Sequence, residues 1–402
     1  MNKGIISLVG VLTLVASVAP SDGFAGAGGA GQAASTIALY GDSPYGACKV
    51  SPVPACADVA QFNATDAFVD SVNGDPDVGL VVHVGDIHSG KEFCTQAYDQ
   101  SIFDKWTRFV DPLVYTPGDN EWTDCHKAAQ GGNAFYDPPA NTQPVDYANG
   151  DPVANLALIR TIFFANPGLT LGQHKRIVLS QHFVHDPRFP SDGQFAENVI
   201  WVQSNVVFVT INVPGGSNND TDTWYNPDPI NNPTPNTQAQ IDERTQRTAA
   251  DVRWLDTAFL LARLGHVKGV VIVAQADMWD PEKADAVHGT HQDGYEPIVS
   301  SVAAHTLAFG KPVLMFNGDS HVYKSDNPLD PSASCVTESG ACASVAFLHP
   351  GYNVPNFHRI VVHGSTAKME WLKLTVDPAV NAPQGSNSFG PFAWSRQTQD
   401  LP

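Results

Sequence analysis

Four short apolar stretches each run straight into a Gly-Asp pair. They are residues 36–40 before Gly41-Asp42, 80–84 before Gly85-Asp86, 112–117 before Gly118-Asp119 and 312–317 before Gly318-Asp319. In an open α/β sheet the loops after strand carboxyl ends converge on one edge, and ligands bind there. Four carboxylates delivered to one rim repel each other and resist ionisation unless positive charge sits between them. A metal ion is the simplest such charge. Gly74-Asp75 and Gly150-Asp151 also occur, but in polar sequence where turn chemistry accounts for the aspartate. The strand context sets the other four apart.

Between these strands the apolar spacing turns helical. Val59, Phe62, Val69 and Val72 predict a helix over 58–72, and Tyr98, Ile102, Trp106 and Phe109 one over 95–110. Val252, Leu255, Phe259, Leu260 and Leu264 mark the longest, over 245–264, with further helices over 155–164 and 297–309. Strands over 176–181, 199–202 and 206–213 follow one another without helices between them, and others fall at 269–274, 344–348, 358–362 and 369–376. The order βαβαβα, then β-β, then βαβ and a strand-rich end predicts one α/β domain with two sheets. The length of 402 residues with 43% hydrophobic content supports a sizeable core, and no linker divides it. The polar, Pro-rich loop over 215–236 is too long for a simple connector, and Trp224 and Tyr225 within it point to a role in specificity.

The first residues read as an export signal: Lys3, an apolar run over 5–18, and small residues over 23–27. The expected organisation is a signal over 1–27, a flexible Gly/Ala segment over 28–34 and a single domain over 35–402, secreted or periplasmic. No later run is long enough to span a bilayer, so no membrane partner is expected after cleavage. The 6 cysteines fit an oxidising compartment. Proximity suggests Cys48 with Cys56 and Cys335 with Cys342, leaving Cys94 with Cys125. The absence of Cys-x-x-Cys argues against a zinc ribbon. A net charge of −19 argues against a nucleic-acid partner and favours cations. An anionic substrate then needs a local positive centre, which a bound metal supplies. Oligomeric state is not readable.

The four sites read Gly41-Asp42-Ser43-Pro44-Tyr45, Gly85-Asp86-Ile87-His88, Gly118-Asp119-Asn120-Glu121-Trp122 and Gly318-Asp319-Ser320-His321. In order, spacing and strand context they resemble the calcineurin-like metallophosphoesterases, which include the purple acid phosphatases. The resemblance runs over roughly 35–378 and looks like a secreted bacterial branch with altered motifs. It implies a four-layer αββα sandwich of two mixed sheets flanked by helices, and metal-assisted hydrolysis of a small phosphate ester. It makes Asp42 a ligand of one metal and Asp86 the bridge between two. Asp119 falls where the family has a metal-binding Asn, Asn120 where it has the His that touches phosphate, and Glu121 on the following acid. His321 matches the last His of Gly-His-x-His, and Asp319 replaces the first. Pro44 stands where the Asp-x-His histidine belongs. A late histidine is also missing, with Gln275 or Asp277 as the nearest substitute.

The candidate ligands are therefore Asp42, Asp86, Asp119, Asn120, Gln275, Asp277, Asp319 and His321. The candidate catalytic residues are Asn120, His88 and Glu121. Oxygen donors have replaced imidazoles, which suits one or two Mg, Mn or Ca ions, with Fe or Zn as alternatives. Two ions would lie about 3.5–4 Å apart, and a metal-bound hydroxide would attack phosphorus. Asn120 would serve as a neutral donor to the phosphoryl oxygens, and His88 would protonate the leaving oxygen or bind phosphate. His182 and His185 read as loop histidines bonded to backbone. Two other roles stay open: a degenerate protein that binds a cation or phospholigand without turnover, and a secreted structural protein stabilised by Ca.

Overall fold

Apolar side chains on successive strand residues point to opposite faces, and here both faces are covered. The computed structural model describes residues 33–45, 59–90, 92–127, 147–226, 228, 232–281, 292–364 and 369–399. The expected export signal, most of the Gly/Ala segment and the Cys48–Cys56 pair lie outside them. The first half comprises β1 (Ser35–Tyr40), α1 (Val59–Asn73), β2 (Val78–His83), α2 (Gln96–Trp106), β3 (Leu113–Tyr115) and α3 (Pro152–Phe163). Next come β4 (Leu179–Ser180), β5 (Val199–Gln203), β6 (Val206–Thr210), α4 (Gln238–Leu264), β7 (Gly269–Val273), α5 (Glu296–Phe309) and β8 (Val313–Asn317). The chain ends with β9 (Lys324–Asp326), β10 (Cys335–Thr337), β11 (Gly340–Cys342), β12 (Phe357–Val361), β13 (Met369–Val376), β14 (Ser388–Phe389) and β15 (Phe392–Gln399).

The strands form a six-stranded sheet, β14-β15-β13-β1-β2-β3, and a nine-stranded sheet, β11-β10-β9-β12-β8-β7-β6-β5-β4. Both are mixed. In the first, β1, β2 and β3 are parallel, and β13 pairs antiparallel with both β1 and β15. In the second, β12, β8, β7 and β6 are parallel, with antiparallel strands on either side.

Alternation along each strand builds the layers. Ile37 and Leu39 of β1 meet Leu314 and Phe316 of β8 in a core between the sheets. Their neighbours Ala38 and Tyr40 turn the other way, onto Phe68 of α1, Trp106 of α2 and Ile159 of α3. Val313 and Met315 of β8 likewise pack on Trp254 and Phe259 of α4 and Ile298 and Val302 of α5. The result is helix, sheet, sheet, helix, as the resemblance implies. Parallel strands buried on both faces explain the continuous apolar runs before each Gly-Asp. No helix among the described residues is long and apolar enough to cross a membrane.

Local chemistry sets the helix starts. Thr95 caps α2 by accepting the Tyr98 N–H, and Asp151 caps α3 by accepting the Ala154 N–H, with Pro152 at the first helical position. So Asp151 is a cap, and Asp75 accepts the N–H of Asp77 in a turn. Two expectations change. Residues 344–348 do not pair as a strand: Val345 and Leu348, three apart, both pack on the α5 side of the core while Phe347 is exposed. Helix α4 starts at Gln238, about two turns before the expected start at 245, because Thr237 caps it.

Candidate metal centre

All four Gly-Asp loops leave parallel strands at the same edge of the two sheets. Asp42, Asp86, Asp319 and His321 sit in the left-handed region, with φ of 48°, 59°, 71° and 62°. For non-glycine residues this costs on the order of 1 kcal/mol or more each, and such strain gathers at functional sites. The preceding glycines permit close approach. A Cβ on Gly118 would run into Asp86 Oδ1, and one on Gly318 into Asp42 Oδ2. These two pairs thus use Gly to admit a neighbour's carboxylate, whereas Gly41 and Gly85 make room for Val84 and Gln275.

Asp42 and Asp86 are buried, while Asp119 and Asp319 are partly exposed at the mouth. Asp86 Oδ2 accepts from Asn120 Nδ2 (2.9 Å), Gln275 Nε2 (3.2 Å) and the Tyr45 hydroxyl (3.3 Å). Its Oδ1 accepts the Asn120 N–H at 3.2 Å. Asp42 Oδ1 accepts the Asp319 N–H at 2.9 Å and lies 3.5 Å from His321 Nε2. Asp42 Oδ2 is buried with no donor reaching it. The Tyr45 hydroxyl is also 3.1 Å from His321 Nε2.

The electrostatics are those of a site waiting for positive charge. Burial pushes the Asp42 carboxyl well above the usual carboxylate range; the Asp319 N–H opposes this and the Asp119 and Glu121 charges add to it. Asp86 is raised in the same way, by burial first and then by Asp119, Glu121, Asp42 and Asp319. One ligand atom each from Asp42, Asp86 and His321 lie within 4.8 Å of one another. Two carboxylates, one of them with an orphaned buried oxygen, and an imidazole fit a divalent ion.

The remaining candidates divide. Asn120 is in the pocket, on Asp86. Glu121 lies behind it: Oε1 accepts the Gly118 and Asp86 N–H groups at 2.7 and 3.2 Å and the Tyr115 hydroxyl at 2.6 Å, bracing both loops. His88 is buried, with Nδ1 3.3 Å from the Ser89 carbonyl and Nε2 3.8 Å from Cys94 Sγ. Burial lowers its pKa to about 4, so it is neutral. The Cys94–Cys125 disulfide forms, with its sulfurs 3.4 and 3.7 Å from the Asn120 carbonyl; Cys335–Cys342 clips the β10–β11 hairpin. Asp277 is taken by Arg359, Lys324 and the Ser320 hydroxyl, leaving only its backbone N–H on Asp319 Oδ2. Burial works against its ionisation, but Arg359 and Lys324 hold it below the usual range. His182 and His185 each bond a backbone carbonyl, of Gly193 and Gln181.

Two contributors have no spacing signal in sequence. Tyr45 reaches the pocket because the chain folds back after Asp42. Gly215, after β6, lies so close that a Cβ there would meet Asp119 Oδ2. It opens a left-handed turn, residues 216–219 all having positive φ, held by Arg247 of α4 through the Asn212 carbonyl and Asn218 Oδ1.

No curated protein matches the sequence. A purple acid phosphatase from yellow lupin (Lupinus luteus) seeds is similar in structure, with TM-score 0.39 and 10% identity over 92% of this chain and 54% of that one. A 5'-nucleotidase precursor from Thermus thermophilus is similar with TM-score 0.39 and 12% identity over 91% of this chain and 55% of that one. The chain thus spans about half the length of these two. A model of the family described as calcineurin-like phosphoesterase matches residues 36–323, from β1 to just past His321. All four Gly-Asp loops fall inside that span, and the chain belongs to the calcineurin-like phosphoesterase family.

Proposed function

We propose that the protein is an exported hydrolase of small phosphorylated compounds that works with a divalent ion held by Asp42, Asp86 and His321. The observation that carries this is the convergence of those three side chains, from both sheets, on one point within 4.8 Å. The oxygen-rich donor set favours Mg or Mn. A bound ion supplies Lewis acidity toward a phosphoryl oxygen and lowers the pKa of water.

The chain's own groups define the rest. Lys127 is paired with Asp124 and Asp222, and Arg359 with Asp277 and Asp326, so these cations are already committed. An anionic phosphoester is therefore drawn by the ion rather than by a basic patch. Asn120 is placed to give a neutral N–H to a phosphoryl oxygen when the ion relieves its bond to Asp86. Tyr45, whose hydroxyl is kept neutral by burial and the surrounding carboxylates, offers a second donor inside the same pocket. Glu121 and His88 hold the loops that present these groups.

The test is hydrolysis of p-nitrophenyl phosphate and bis-p-nitrophenyl phosphate by metal-stripped protein. Activity returns on adding Mn, and Asp86→Ala loses at least about 100-fold, since removal of groups that merely support a ligand already costs 10–100-fold. Mn binding without turnover on either ester would favour a cation- or phospholigand-binding role.

A further inference from the structure

We propose that the Gln275 amide takes the place of a second cation in the acidic pocket, so that the protein holds one divalent ion per chain. The inference rests on the reading that Asp42, Asp86 and His321 hold an ion. Gln275 follows β7 and is fully buried. Its Nε2 donates to Asp86 Oδ2 at 3.2 Å and to Asp119 Oδ1 at 3.1 Å, so a single NH2 group bridges two carboxylates on neighbouring loops. An amide nitrogen carries two N–H donors, one for each acid, and adds no net charge. It thereby does locally what an ion between Asp86 and Asp119 would do.

The side chain is held in that pose. Gly85, with φ of 105°, lies so close that a Cβ there would sit 2.7 Å from both Cβ and Cγ of Gln275. Gln275 Oε1 is buried with no donor reaching it, a cost of about 1–3 kcal/mol that the bridging N–H groups offset. Turning the amide over would set that oxygen against two carboxylate oxygens.

The other acids are sorted consistently. Asp119 stands outside the three-residue ion group. Asp277, two positions after Gln275, is neutralised by Arg359 and Lys324. The pocket therefore meets its excess negative charge with one ion, one amide bridge and one ion-pair network.

Titration calorimetry of metal-stripped protein with Mn, together with electron paramagnetic resonance of the loaded protein, tests this. Wild type is expected to take one Mn with the spectrum of an isolated ion. Gln275→Glu turns the bridge into a third carboxylate and is expected to take two Mn with an exchange-coupled spectrum; Gln275→His is expected to do the same should the glutamate variant fail to fold. Two coupled ions in wild type would overturn the inference and leave the ion site standing. No bound ion in wild type would overturn both. A folded Gln275→Glu that still takes one Mn would show that the amide holds no ion's place.

Discussion

A buried aspartate with no donor on one oxygen is a liability in a protein selected for stability alone. Asp42 is such a residue, and its neighbours Asp119 and Glu121 make its charge costlier still. Asp42→Asn keeps the acceptor for the Asp319 N–H and removes the charge. It should stabilise the metal-free protein by about 0.5–2 kcal/mol in urea unfolding. The same change should weaken Mn binding by at least about 100-fold. A variant that loses stability without its metal would show that Asp42 serves the fold. At this scale the four Gly-Asp acids were legible, because an apolar stretch ending in Gly-Asp marks a strand end, while His321 was legible only through the family resemblance. Tyr45 and Gly215 were not, since a lone aromatic after Pro44 or a glycine in a polar loop carries no period. The choice between Gln275 and Asp277 turns on Arg359, which lies 82 positions along the chain from Asp277.

Elements convert these residues into a site by holding loops still. The left-handed turn that brings Gly215 to Asp119 depends on Arg247, fully buried on α4, paired with Glu243 and stacked 5.4 Å above Trp122. Arg247→Ala leaves Glu243 without that partner and should cost about 3–5 kcal/mol in denaturant unfolding. It should also reduce kcat as the turn relaxes from the pocket. Unchanged kcat in the folded variant would separate the turn from the chemistry. The polar first turns of α4 escaped the apolar pattern for this reason: they face a buried polar network, not the core. Strand β15 escaped it too. Phe392 and Trp394 enter the inter-sheet core, but beyond them the strand is held by Arg396 bonding both oxygens of Glu370 on β13.

Where β12 meets the carboxyl-terminal strands, His358 links them as a neutral ring. Its Nδ1 accepts from Gln384 Nε2 at 3.0 Å, so Nε2 carries the proton and donates to Ser325 Oγ at 2.9 Å. Burial, with Arg359 adding, lowers its pKa to about 3. The unfolded chain takes up a proton near pH 6.5 and the folded chain does not until about pH 3. The stability from this group is therefore complete above pH 6.5 and is lost as pH falls through that window. The stability difference between wild type and His358→Gln should shrink by about 1.4 kcal/mol per pH unit between pH 6 and pH 4. A constant difference across that range would mean the ring is already charged in the fold.

At the scale of the whole molecule, two mixed sheets stacked face to face bring loops from residues 42 and 319 into one pocket. The alternation of strand and helix made the two-sheet architecture readable, while the pairing of β9, β10 and β11 depended on tertiary partners for short polar segments. The proposed function at this scale rests on distant acids sharing a cation. The most direct measurement is anomalous scattering from a crystal of the protein loaded with Mn. The account predicts a peak within bonding distance of Asp42, Asp86 and His321. Ordered carboxylates with no peak between them, or a peak only at some other part of the molecule, would contradict it.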